Sequence, residues 1–215
     1  MNQTTTHRKK LVLLAMLAAL SYLLVAFIRI PAVLFLKYEP KDVVITIGGF
    51  LLGPMAAFVI SLVVSLLEMV SISDTGLIGC VMNLLATCSF ACTASLLYKK
   101  HHTLTGAVAG LALGSVSMVG VMLLWNWLIT PLYMGYPRTQ VAALLVPAFL
   151  PFNLVKAGLN SALVLCLYKP LVSALQKTGL MPKRPAGSPK FGIYLFAALL
   201  LATSILLLLV LQGRL

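Results

Sequence analysis

VVITIGGFLLGPMAAFVISLVVSLL, residues 43–67, is the stretch whose reading decides how this chain is organised. Read as one helix it crosses a bilayer once. Read with a break at Gly53-Pro54 it makes two elements, and every later segment changes side. Proline cannot continue a helix, and Gly48, Gly49 and Gly53 weaken it, so the broken reading is preferred. The piece before the break then has about a dozen residues, roughly 18 Å at 1.5 Å per residue. That is too short to cross hydrocarbon alone, so its neighbours must shield it.

Charge placement supports the break. Outside residues 43–67 the apolar runs are 11–28, 77–98, 104–130, 141–168 and 191–211, and Lys156 is the one charged residue inside them. Each reaches the roughly 18 residues that a membrane helix needs. Arg8, Lys9 and Lys10 place the N-terminus on the cytoplasmic side, because Lys and Arg accumulate in cytoplasmic flanks. A single span over 43–67 would put Lys99, Lys100, His101 and His102 outside. Two elements return them to the cytoplasm together with the basic segment 169–190. Ten of the 16 Lys and Arg then lie inside and five outside (Arg29, Lys37, Lys41, Arg138 and Arg214), with Glu39, Asp42, Glu68 and Asp74 at or near the external face.

Composition agrees: 61% of the 215 residues are hydrophobic and 9% charged, and the mean hydropathy is +1.05. The expected fold is therefore an all-α integral membrane protein lying in the lipid bilayer. A net charge of +12 does not indicate a nucleic-acid binder, because the basic residues form short clusters between spans and not a face on a soluble domain. The run 11–28 is too long for the core of a signal peptide, so it is expected to remain as the first span. Residues 1–175 form the predicted membrane domain, 176–190 a basic cytoplasmic linker, and 191–215 an additional C-terminal transmembrane helix.

Several residues stand out as candidates for chemistry. An ionisable group within a membrane helix is costly unless it pairs or faces a polar cavity; alternatively Lys156 snorkels to the interface. Asn153 and Asn160 share its helical face, and this polar stripe favours a ligand-facing role. Asn126 sits between Trp125 and Trp127. Tryptophans near a helix end usually anchor at the interface, but an amide that both donates and accepts also suits a ligand with imide-like edges. The segment 29–42, with Lys37, Tyr38 and Asp42, reads either as a connector or as a lid over a cavity. Ala15 and Ala19 are small residues four apart, a spacing that lets another helix approach closely.

Some chemistries lack their parts. Phosphate-binding loops, H-E-x-x-H and G-x-S-x-G are missing from the sequence, so no catalytic residue is assigned. Cys80, Cys88, Cys92 and Cys166 lie in apolar runs without a C-x-x-C pair, and no metal site is expected.

The segments Phe35-Leu36-Lys37-Tyr38-Glu39-Pro40-Lys41-Asp42-Val43, Gly49-Phe50-Leu51-Leu52-Gly53-Pro54 and Pro151-Phe152-Asn153-Leu154-Val155-Lys156 resemble the riboflavin-specific S component of energy-coupling factor (ECF) transporters. The resemblance runs over about residues 8–175, and Pro-Phe-Asn-x-x-Lys is its most specific part. It implies a six-helix bundle with a short second helix, to which 191–211 adds a further span. It also implies a bacterial plasma-membrane subunit that captures riboflavin near the external side, in a pocket built from the first external loop and the fourth, fifth and sixth spans. Asn126, Asn153 and Lys156 become candidate polar ligands, with Lys37, Tyr38 and Asp42 in the lid. Ala15 and Ala19 become the face that docks onto a membrane coupling subunit, the T component, driven by two cytoplasmic ATPases. Riboflavin is then cargo, and no cofactor is expected. The alternatives are an S component for another vitamin or a flavin precursor, a membrane assembly factor, or an enzyme using Lys156 as base or Schiff-base former.

Overall fold

The computed structural model describes residues 3–34, 36–73, 75–177 and 191–213. Phe35, Asp74, Arg214 and most of the expected linker (178–190) lie outside the described residues. In chain order the elements are α1 (Gln3–Phe27), β1 (Ile30–Val33), β2 (Leu36–Tyr38), α2 (Lys41–Leu52), α3 (Pro54–Ser71), α4 (Gly76–Lys100) and α5 (Leu104–Met134). They are followed by α6 (Arg138–Leu144), a π-helical turn (Leu145–Phe149), α7 (Leu150–Lys177) and α8 (Phe191–Leu211). Among the described residues, six helical stretches are long and apolar enough to cross a membrane, and α2 is not one of them.

The break at Gly53-Pro54 is present. Gly53 has φ +98°, a conformation that side chains disfavour, and Pro54 occupies the first turn of α3, where its missing N–H costs nothing. The twelve-residue α2 is shielded as expected, since every residue from Lys41 to Phe50 is buried. Leu13, Leu17 and Val25 of α1, Ala57, Ile60 and Val64 of α3 and Ala91 of α4 pack with its Val44 and Ile45. On the other side Phe50 meets Phe90, Leu111, Met118 and Val164.

α4 and α5 approach unusually closely. A Cβ on Gly110 would lie 2.7 Å from the Ala94 carbonyl oxygen, and one on Gly114 would lie 2.6 Å from that of Phe90. Only glycine permits backbone contact of this kind, which is how small residues hold membrane helices together.

Three features differ from the sequence expectation. The segment after α1 is not a plain loop: β1 and β2 form an antiparallel hairpin pairing Ile30 with Tyr38 and Pro31 with Lys37, with Leu34 at φ +53°. The run 141–168 is not one uniform helix. Pro147 and Pro151 supply no N–H, and the chain widens into a π turn in which the Leu150 N–H bonds to the Leu145 carbonyl. Finally, α7 continues to Lys177, and α8 packs along it, with Ala197, Ser204 and Leu208 buried.

Candidate functional site

The first turn of α2 carries two adjacent charges, Lys41 and Asp42, both buried. Successive residues on a helix point about 100° apart, so the two enter different surroundings.

Asp42 is fully buried. Its carboxylate lies 3.2 Å from Lys156 Nζ, accepts a 2.6 Å hydrogen bond from Thr87 Oγ1 and a 3.2 Å bond from Asn160 Nδ2. Asn160 Oδ1 in turn accepts from the Tyr38 hydroxyl at 3.1 Å. Burial, followed by the nearby Asp42 charge, pushes the Tyr38 phenol above its ordinary value, so it stays a neutral donor. The hairpin is thereby hydrogen-bonded to α7 through Tyr38 and Asn160.

Lys41 reaches the second cluster. It pairs closely with Glu68 of α3 and lies 2.9 Å from Glu39. Asn83 Nδ2 of α4 donates to the other Glu68 oxygen at 2.7 Å. Arg29 Nε lies 3.2 Å from Glu39, and Arg29 Nη1 donates to the Ile72 carbonyl at 2.9 Å. Both clusters together hold three cations and three anions. Isolated charges could not be kept here, since each costs several kcal/mol to desolvate, but paired and hydrogen-bonded ones are tolerated.

A cavity of about 90 Å³ opens at the hairpin end of the bundle. Its polar wall includes Arg29, Lys37, Glu39, Asn83, Asn153 and Lys156, with Ser73 and Thr75, and its apolar wall includes Leu36, Met82, Met122 and Phe152. Convergent polar groups facing an apolar wall can orient a small molecule that has both kinds of surface. Asn153 Nδ2 donates to the Phe149 carbonyl at 2.7 Å, which ties this side chain to the π turn.

Of the residues singled out from the sequence, Lys37, Asn153 and Lys156 line this cavity. Tyr38 and Asp42 lie behind it and hold Lys156 and Asn160 in place. Asn126 is fully buried on α5, one turn beyond Met122. Its Nδ2 donates to the Met122 carbonyl at 2.7 Å, and its Oδ1 accepts from Thr130 Oγ1 at 2.9 Å. A second, smaller cavity adjoins at Met82 and Thr75 and reaches Trp125 and Thr130. Ala15 and Ala19 are exposed on α1, whose opposite face buries Leu13 and Leu17.

Residues that sequence reasoning missed are Thr87, Asn83 and Glu68; Arg29, Glu39 and Lys41 were placed in the candidate lid segment 29–42, but their ion pairs were not foreseen. Glu68 had a readable signal, being the one charged residue between Pro54 and Ile72. Among the described residues, no three His, Cys, Asp or Glu side chains come together as metal ligands would.

The family described as "ECF transporter, substrate-specific component" matches residues 9–168. Similar proteins include the riboflavin transporter RibU of Staphylococcus aureus (strain TCH60), 29% identical over 80% of this chain and 94% of its own length. The riboflavin transporter FmnP of Bacillus subtilis (strain 168) is 30% identical over 69% of this chain and 84% of its own. A solved structure described as "Structure and mechanism of the S component of a bacterial ECF transporter" superposes with a TM-score of 0.66 at 28% identity, covering 79% of this chain and 99% of that one.

Proposed function

This chain belongs to the substrate-specific components of ECF transporters, and on that premise we propose that it captures riboflavin at the external face of a bacterial plasma membrane and delivers it inward without catalysis of its own. The observation that carries this reading is the cavity at the hairpin end, where Asn153 and Lys156 stand beside Met82, Met122 and Phe152. An isoalloxazine ring is flat and apolar on its faces, with hydrogen-bonding groups along its edge. The thioethers and the phenyl ring match the faces, while the Asn153 amide and Lys156 ammonium match the edge.

Asp42 serves this site indirectly. Its charge holds the Lys156 ammonium at the cavity wall, so that the ligand meets a pre-positioned donor. Asn126 takes part by exchanging its bonds to Met122 and Thr130 for bonds to a ligand that extends past Met122. Leu36 and Lys37 form part of the cavity wall, so movement of the hairpin opens or covers it.

The basic residues at the ends of α4 and α7 and near the start of α1 support a cytoplasmic N-terminus and an external hairpin. Ala15 and Ala19, exposed on α1, are the docking surface for a T component. ATP is hydrolysed by two partner ATPase subunits.

Titration of the purified protein with riboflavin, followed by quenching of flavin fluorescence, tests the assignment. Saturable quenching is expected; folded protein that gives none removes riboflavin as the ligand.

A further inference from the structure

α8 lies beyond the part of the chain that the family match covers, which ends at residue 168. It is nevertheless built into the bundle. A Cβ on Gly158 of α7 would lie 2.4 Å from Ser204 Oγ, so α8 is seated where α7 has no side chain. Ala197 is fully buried, and Leu208 joins the cluster containing Ala32 and Leu36 of the hairpin and Phe152 of α7.

The end of α8 also touches the hairpin directly. Gln212 Nε2 donates to the Pro31 carbonyl of β1 at 2.5 Å. The two strands are therefore tied to different helices. β2 is bonded to α7 through Tyr38 and Asn160, while β1 is bonded to the end of α8.

We propose that α8 is a strap on the hairpin, and that Gln212 is a positioning residue that holds β1 through the Pro31 carbonyl and so, by the pairing of Pro31 with Lys37, keeps the β2 side of the cavity wall in place. The link to the ligand rests on the reading that the hairpin covers the riboflavin site. The strap itself does not, because the contact exists whatever occupies the cavity. With the strap in place, opening the hairpin breaks the Gln212 bond and separates Leu208 from its cluster. Ligand release is slowed by the same step.

Hydrogen exchange of the backbone amides in residues 30–38 reads hairpin opening in the ligand-free full-length protein, reconstituted in lipid nanodiscs. Gln212→Glu is close to isosteric and replaces the amide donor with acceptors. It should speed exchange in the hairpin roughly 5-fold, the factor expected for one lost hydrogen bond, and leave α4 and α5 unchanged. Gly158→Leu pushes α8 away from α7 and should speed it further. Riboflavin dissociation, measured by stopped-flow fluorescence, should accelerate by the same factors. Hairpin exchange within twofold of wild type in both variants overturns the strap, as does an increase shared equally by α4 and α5. Faster exchange with unaltered riboflavin dissociation overturns the link to release. Because the exchange experiment contains no ligand, absence of riboflavin binding would remove the functional assignment and still leave the strap decided.

Discussion

Replacing Lys156 with methionine keeps an unbranched side chain, one heavy atom shorter, and removes its charge, which isolates what the ammonium does for Asp42. In the wild type the Asp42 carboxylate is fully buried, with Lys156 Nζ at 3.2 Å and two neutral donors, Thr87 and Asn160. Lys156→Met leaves a buried anion with its hydrogen bonds from Thr87 and Asn160 and only the neighbouring Lys41 as a nearby cation. Breaking a buried pair in this way costs about 3–5 kcal/mol, because the remaining charge is uncompensated. Asp42→Asn should cost a similar amount, since it strands the ammonium. The double variant removes both charges, leaves Thr87 and Asn160 with an amide partner, and should lose less than about 2 kcal/mol in total. The coupling energy of the cycle is then several kcal/mol, far above the roughly 0.5 kcal/mol scatter of independent sites. Unfolding by sodium dodecyl sulfate in mixed micelles, followed by the fluorescence of Trp125 and Trp127, measures each corner without ligand. A Lys156→Met protein that loses under about 1 kcal/mol, or a cycle that closes additively, would refute the buried pair as the support of the site.

Three further outcomes follow from the geometry. Asn153→Ala should weaken riboflavin binding by about 1–3 kcal/mol, the cost of leaving a buried partner unsatisfied; Asn126→Ala should cost less, because its amide must give up two existing bonds, to Met122 and Thr130, against the one that Asn153 makes to Phe149, and isothermal titration distinguishes the two. Gly110→Leu or Gly114→Leu should lower the melting temperature sharply, since the new side chain must enter the space of the Ala94 or Phe90 carbonyl, whereas Gly120→Ala, with open space around it, should be nearly neutral. Ala15→Trp should leave riboflavin binding intact and abolish uptake in cells expressing the coupling subunits; normal uptake would remove α1 as the docking face.

The helical architecture was readable because it follows from local chemistry. Proline at 54, glycine at 53 and the requirement that basic clusters share one side were enough to separate α2 from α3. The polar stripe of Asn153, Lys156 and Asn160 was visible for the same reason, as it depends only on helical spacing. The hairpin was not, because its turn at Leu34 lacks the Gly or Asn that normally marks φ > 0. The charge clusters were hidden for a different reason. Counting charges as loop markers treats Arg29, Glu39 and Lys41 as wet, and nothing local says that Asn160 meets Asp42, which is 118 residues away in sequence. Asn126 shows the converse limit: spacing marks an amide as polar, but only the fold reveals that Met122 and Thr130 already satisfy both its ends.

The balance of three cations and three anions around the first turn of α2 has an electrical consequence. A unit charge moved across a membrane exchanges about 2.3 kcal/mol with each 100 mV of potential. Arg29, Lys41 and Lys156 cancel Glu39, Asp42 and Glu68, so the network can shift as a body without carrying net charge. Adding a neutral ligand leaves that sum at zero. A movement of these six groups together with a neutral ligand is therefore one on which the resting voltage of the cell does no work.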